Sequence, residues 1–144
     1  MKVRRYEIRV CEAVGTWDGR RAVHAASDAV EILGGELRTL AVEQFWVLLL
    51  DGKHRLLKTA RVSEGTLTTS LVHPREVFRM AVAEGAAAVI VTHNHPSGDP
   101  EPSAEDAAVT KRLTEAGRLL GIPVLDHIII GGDGHVSLCE RGAL

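Results

Sequence analysis

The stretch Ala87-Ala88-Val89-Ile90-Val91-Thr92-His93-Asn94-His95-Pro96 decides how this chain is read. A short apolar run after Gly85, rich in β-branched residues, fits a fully buried strand. The run ends on two histidines placed two apart, and extended backbone points such a pair to the same side. Pro96 has no N–H to continue a ladder, and it holds His95 extended. The end of a strand is where α/β sheets place functional groups. Two imidazoles held side by side by stiff backbone are a good start for a transition-metal site.

Working outward, a polar loop from Ser97 to Pro102 leads into a helix from about Ser103 to Leu120. Val109, Leu113, Ala116 and Leu120 give that helix an apolar stripe, and Gly121 ends it. Ile122 to Ile130 reads as the next strand. Gly131-Gly132-Asp133-Gly134 then reads as a hairpin turn into a short strand from Val136 to Cys139, rather than as a phosphate cradle. On the other side, Pro74 opens a helix that runs to about Glu84. Before it, Val42 to Leu50 is strongly strand-like, Asp51-Gly52 is a hairpin signal, and His54 to Val62 returns antiparallel. Ala22 to Leu33 suits a helix, with Val23, Ala26, Val30 and Leu33 near one face and Gly34-Gly35 as its stop. Tyr6 to Val10 alternates as an edge or half-buried strand does. Alternating strands and helices imply one mixed α/β domain over residues 1–144, with the strand order left open.

Composition narrows the function classes. Of the 144 residues, 45% are hydrophobic and 25% charged, an ordinary globular balance; aromatics are 3%, so Ala, Val, Leu and Ile must pack the core. A net charge of −2 argues against strong general affinity for nucleic acid. The basic cluster Lys2, Arg4, Arg5 and Arg9 reads as a solvated end. Cys11 and Cys139 lie far apart with no CxxC pair, which disfavours a disulfide framework or a cysteine zinc site and fits a reducing cytoplasm. No secretory signal is visible, and the longest apolar runs, at 45–50 and 86–91, are too short to span a bilayer.

The third ligand falls to Asp106, in the first turn of the helix behind the loop. Three ligands of nitrogen and oxygen type with a fourth position open to water is the pattern of catalytic zinc. Such a metal lowers the pKa of water towards neutrality and polarises a carbonyl. A carboxylate must then take and return the proton. A plain structural account stands beside this one. Ser103-x-x-Asp106 also resembles a capping box, and Asp in a first turn suits the helix dipole. Two histidines and a carboxylate also serve non-haem iron. A metallo-β-lactamase pattern would need aspartate and histidine where the chain has Ser97 and Gly98, and the PCxxC of zinc deaminases is absent.

Taken together, His93-Asn94-His95-Pro96-Ser97-Gly98-Asp99-Pro100, then Pro102-Ser103 and Asp106, resemble the JAMM metalloprotease motif in the form carried by the RadC family. Leu125-Asp126-His127 and Pro74-Arg75-Glu76 are similar to that family too, and the resemblance runs from about Val42 to Ser137. It implies an MPN (JAB)-like α/β domain, a mixed sheet flanked by helices in a cytidine-deaminase-like architecture. It implies one zinc ion per chain on His93, His95 and Asp106, with Ser103 stabilising an oxyanion. Glu43, ahead of the apolar strand, matches the glutamate that acts through the activated water. A charged residue entering such a strand needs a partner, or else is an exposed strand end. The implied activity is hydrolysis of amide bonds, with a peptide or protein as substrate. The helix-hairpin-helix region of longer RadC proteins has no counterpart here. The alternative is a metal-binding module with a DNA repair or mobile-element role, no proteolysis and a nucleic-acid partner. His127 reads as a core histidine or as a support of the metal site; His24, His54, His73 and His135 read as surface or turn residues, and Cys139 as inert.

Overall fold

The strand written Gln44-Phe45-Trp46-Val47-Leu48-Leu49-Leu50 is apolar on both faces and is buried on both. In the computed structural model, which describes residues 20–68 and 71–144, Phe45, Val47 and Leu49 join one core cluster and Leu48 and Leu50 the other. The expected strand at Tyr6–Val10, the basic residues Lys2, Arg4, Arg5 and Arg9, and Cys11 lie outside the described residues. The elements run α1 (Ala26–Leu37), β1 (Gln44–Leu50), β2 (Leu56–Glu64), α2 (Pro74–Ala83), β3 (Ala88–Asn94), α3 (Ala104–Leu120), β4 (Val124–Ile130) and β5 (His135–Ser137).

The five strands form one mixed sheet in the order β2-β1-β3-β4-β5. β1 is antiparallel to both β2 and β3, while β3 and β4 run parallel with α3 as their crossover. β5 returns antiparallel on β4. One face carries α2 and α3 over Phe45, Val47, Val89 and Val91; the other carries α1 over Leu48, Leu50, Ile90 and Ile128. β3 is central and buried along its whole length, so its C-terminal end is the best-fixed point in the sheet.

α1 corrects the sequence reading at both ends. It starts at Ala26 because Ala22 bridges Arg55 and the Val23 N–H donates to the His54 carbonyl, which binds that segment to the β1–β2 hairpin. The Asp28 carboxylate accepts from the His24 and Ala25 N–H groups and fixes the new start. The helix then passes through Gly34-Gly35 to Leu37, with Gly34 buried and a Cβ there lying 2.9 Å from Val30 Cγ1 of the preceding turn. Burial of Leu33 and Leu37 against the sheet outweighs the poor helix propensity of the two glycines. Gly85 and Gly121 stop α2 and α3 as expected, with φ of 66° and 70° in the left-handed region. No helix among the described residues is long and apolar enough to cross a membrane.

The β1–β2 connection is longer than a two-residue Asp-Gly turn. It spans positions 51–55, and His54 takes a positive φ of 56°. The Asp51 carboxylate organises it, accepting from the Lys53 and Arg55 N–H groups and from Arg55 Nε at 2.8–2.9 Å. Burial pushes the Asp51 carboxyl up, but these hydrogen bonds and the Arg55 charge outweigh it and hold it below the ordinary carboxylate range. A depressed folded-state pKa stabilises above the unfolded pKa and loses that contribution as the pH falls. Asp51→Ala is therefore expected to cost on the order of 2 kcal/mol near neutral pH. In urea titrations the difference from wild type should shrink as the pH drops through the carboxylate range; a difference independent of pH would contradict this.

Candidate metal centre

At the end of β3, backbone alternation places His93 on the α2/α3 face, paired with Phe45 on β1 and Ile129 on β4. His93 is wholly buried, stacked on the Phe45 ring at 5.9 Å. His95 lies one residue beyond the strand, yet its N–H still donates to the Ile130 carbonyl at 2.9 Å. The parallel pairing thus persists past the strand end, and both imidazoles project to the same side as their spacing predicts.

Their Nε2 atoms lie 3.0 Å apart. His93 Nε2 is 3.1 Å from Asp106 Oδ1 and 3.7 Å from Glu43 Oε1, and His95 Nε2 is 3.1 Å from Asp106 Oδ2. One ligand-type atom from each of Glu43, His93, His95 and Asp106 therefore falls within 4.8 Å of the others, an arrangement that could hold a metal ion. His93 and Asp106 are buried, while Glu43 and His95 are half-buried, so the cluster meets solvent on one side.

Asp106 reconciles two readings that competed in the sequence. It is the third residue of α3, where its Oδ2 accepts from the Ser103 N–H at 2.7 Å and its own N–H donates to Ser103 Oγ at 3.1 Å. The capping box is real, and the same carboxylate faces both histidines. Burial pushes the Asp106 carboxyl up, but hydrogen bonding and charge from His93, the Ser103 N–H and the His95 charge more than offset it. The carboxyl stays ionised well below the usual range. Ser103 itself sits exposed at the cap, outside the four-residue cluster.

Glu43 precedes β1, and its placement depends on Asn94, which the sequence reading passed over. Asn94 Oδ1 accepts from the Gln44 N–H at 2.7 Å and Nδ2 donates to the Val42 carbonyl at 3.1 Å. One side chain therefore clamps both neighbours of Glu43. Glu43 Oε2 accepts from the Leu67 N–H at 2.9 Å, which leaves Oε1 towards His93. The lone amide between two histidines was the available signal.

Gly131 was missed in a different way. The Gly131–Gly134 segment is a hairpin turn, but it also docks the loop that follows His95. The Gly132 N–H donates to the Gly98 carbonyl at 2.9 Å and the Gly98 N–H to the His95 carbonyl at 3.0 Å. A Cβ on Gly131 would collide with the Gly98 carbonyl and lie 2.8 Å from Pro100 Cδ. In the same loop the Asp99 carbonyl receives His95 Nδ1 at 2.8 Å.

His127, on β4, is wholly buried, with Nε2 2.8 Å from His93 Nδ1 and Nδ1 2.6 Å from Thr110 Oγ1. Burial, then the neighbouring His93, lowers its pKa well below the ordinary histidine value. It is thus a core histidine in contact with the cluster, joining the two accounts its sequence allowed. His24, His54 and His135 are exposed, and His73 caps α2 by accepting from the Arg75 N–H. Cys139 is exposed.

A family model described as the RadC-like JAB domain matches residues 23–143. This chain belongs to the RadC-like JAB domain family. It is 62% identical over 109 residues to a UPF0758 protein of Pelobacter propionicus, covering 76% of this chain and 48% of that one. Against UPF0758 protein STH371 of Symbiobacterium thermophilum it is 54% identical over 114 residues, 79% of this chain and 49% of the relative. Against a UPF0758 protein of Methanococcoides burtonii it is 50% identical over 127 residues, 88% and 56% respectively. The chain spans about half the length of these curated relatives, whose names assign no activity. The mixed five-stranded sheet with its helices is that of a JAB domain, as the motif resemblance implied.

The docking of the JAB-domain loop on Gly131 gives a direct test. Gly131→Ala is expected to lower stability by about 1–3 kcal/mol in urea denaturation and to shift the His95 ring resonances. Unchanged stability and unchanged resonances would show that the loop does not rest on this glycine.

Proposed function

We propose that this RadC-like JAB domain is a zinc-dependent hydrolase of peptide or isopeptide amide bonds, holding one zinc ion on His93, His95 and Asp106. The observation that carries the reading is the convergence of two imidazole Nε2 atoms and two carboxylates in one largely buried spot. Carboxylates brought this close repel each other when ionised and are costly to desolvate. A divalent cation at that point satisfies all four side chains at once. The donor set of nitrogen and oxygen, with no thiolate among the described residues of the cluster, suits an open catalytic site rather than a closed structural one.

A zinc ion held there would supply Lewis acidity, drawing the pKa of water towards neutrality and polarising a substrate carbonyl. The residues do the rest. Glu43, fixed by the Leu67 N–H and the Asn94 clamp, keeps Oε1 towards the cluster, where it can accept a proton from the attacking water. The same atom returns the proton to the departing amine, so that one water is consumed for each amide bond broken. Ser103 Oγ accepts from the Asp106 N–H through a lone pair, which leaves its O–H to donate towards the developing oxyanion. His93 and His95 are oriented through their Nδ1 atoms, by His127 and by the Asp99 carbonyl.

Glu43→Gln separates the two halves of this proposal. The variant should retain one zinc per chain while hydrolysis of peptide and isopeptide substrates falls by about 10²–10⁴-fold. Wild-type protein that carries stoichiometric zinc but shows no cleavage dependent on Glu43 would overturn the hydrolase reading.

A further inference from the structure

The chain Thr110–His127–His93 fixes more than position; its hydrogens can be assigned. Thr110 Oγ1 lies 2.7 Å from the Asp106 carbonyl, which has no hydrogen to give, so the hydroxyl hydrogen is committed there. Oγ1 can then only accept at its 2.6 Å contact with His127 Nδ1, and His127 Nδ1 must carry a hydrogen. Among the described residues no carboxylate hydrogen-bonds to the His127 ring; it packs against Phe45 at 5.5 Å and His93 at 4.9 Å, it is wholly buried, and burial outweighs the pull of the Asp106 charge. A ring in such surroundings stays neutral, because an unpaired buried imidazolium is costly. Neutral His127 with hydrogen on Nδ1 has a bare Nε2, so the 2.8 Å contact to His93 is donated by His93 Nδ1–H. His93 Nε2 is then the nitrogen left to face Asp106 and Glu43.

We propose that Thr110 and His127 are positioning residues that lock His93 with its hydrogen on Nδ1 and so present Nε2 to the metal. The inference rests on the metal reading above for its purpose, but the hydrogen on His93 Nδ1 is set by His127 whether or not an ion is bound. It begins at a backbone carbonyl of the very residue that supplies the carboxylate ligand, since Thr110 bonds to Asp106 one helical turn behind it. The ligand on α3 and the ligand on β3 are therefore set by one hydrogen-bonded path through β4. His95 reaches the same tautomer by a separate route, giving its Nδ1–H to the Asp99 carbonyl. The Nδ1 atoms of the two imidazoles are thus held by separate acceptors, although the Nε2 atoms lie 3.0 Å apart. A change at Thr110 should alter His93 and leave His95 as it was.

Two measurements on the purified chain test this. Nitrogen-15 NMR of the histidine rings in metal-free protein should find His93 Nδ1 carrying a hydrogen in wild type, and Thr110→Val should lower the occupancy of that hydrogen. Zinc affinity, read by competition with a chromogenic chelator, should fall about 10–100-fold in Thr110→Val. Thr110→Ser, which restores the hydroxyl but not the methyl group, should bind zinc nearly as wild type does. A purely packing role predicts the opposite order, because valine keeps the volume that serine loses. Should Thr110→Val fail to fold, His127→Leu removes the same acceptor from His93 and should show the same loss. His93 protonated on Nδ1 to the same extent in wild type and Thr110→Val, with equal zinc affinity, would overturn the proposal. Wild type that takes up no zinc would instead defeat the metal reading, while the ring resonances still judge the relay.

Discussion

Two carboxylates and two imidazoles converge here within 4.8 Å of one another, and bringing such groups together out of water is costly unless opposite charge or hydrogen bonds compensate them. That electrostatic demand organises the C-terminal end of the sheet in this protein. His93 is fixed because β3 is central and buried on both faces; His95 is fixed because its N–H extends the β3–β4 ladder by one more residue. Asp106 is fixed by the first turn of α3, whose capping box uses the same carboxylate. Glu43 is fixed by the Asn94 clamp and the Leu67 N–H. Each donor comes from a different element or junction, and none is left to a flexible side chain alone. Holding polar groups this way before any ion arrives reduces the reorganisation that binding or catalysis would need.

The path from Thr110 through His127 to His93 extends the same logic one layer inward. A histidine offered to a metal must present a bare nitrogen, and which nitrogen is bare depends on what the other one donates to. Buried polar chains of this kind are costly unless every member is satisfied. Here each contact has a donor and an acceptor that chemistry assigns.

Much of this was legible in the sequence, and the remainder divides by physical cause. The apolar run ending at Thr92, the parity of His93 and His95, and the stops at Gly85 and Gly121 are local signals, and local signals survive folding. The bounds of α1 did not survive, because Ala22 and Val23 are captured by a hairpin distant in sequence and burial of Leu33 and Leu37 carries the helix past the two glycines. Glu43 was reached through the resemblance of the motif; its place at the mouth of an apolar strand called for a partner without saying that the partner lies on β3. Asn94, Thr110 and Gly131 went unread because each acts through a tertiary contact: on Gln44 and Val42, on His127, and on Gly98. Asp106 shows why two sequence readings need not exclude each other, since a helix cap and a site carboxylate are here the same group.

The relatives matched are about twice as long as the part of them that this chain covers, so the domain's chemistry is best measured on the chain itself. X-ray absorption at the zinc edge of the zinc-loaded protein reads the central claim most directly. The expected result is a four-coordinate shell of nitrogen and oxygen at about 2.0–2.1 Å that includes two imidazoles, and loss of that imidazole signature in His93→Ala. A shell containing sulfur at about 2.3 Å, or one unchanged by His93→Ala, would contradict it.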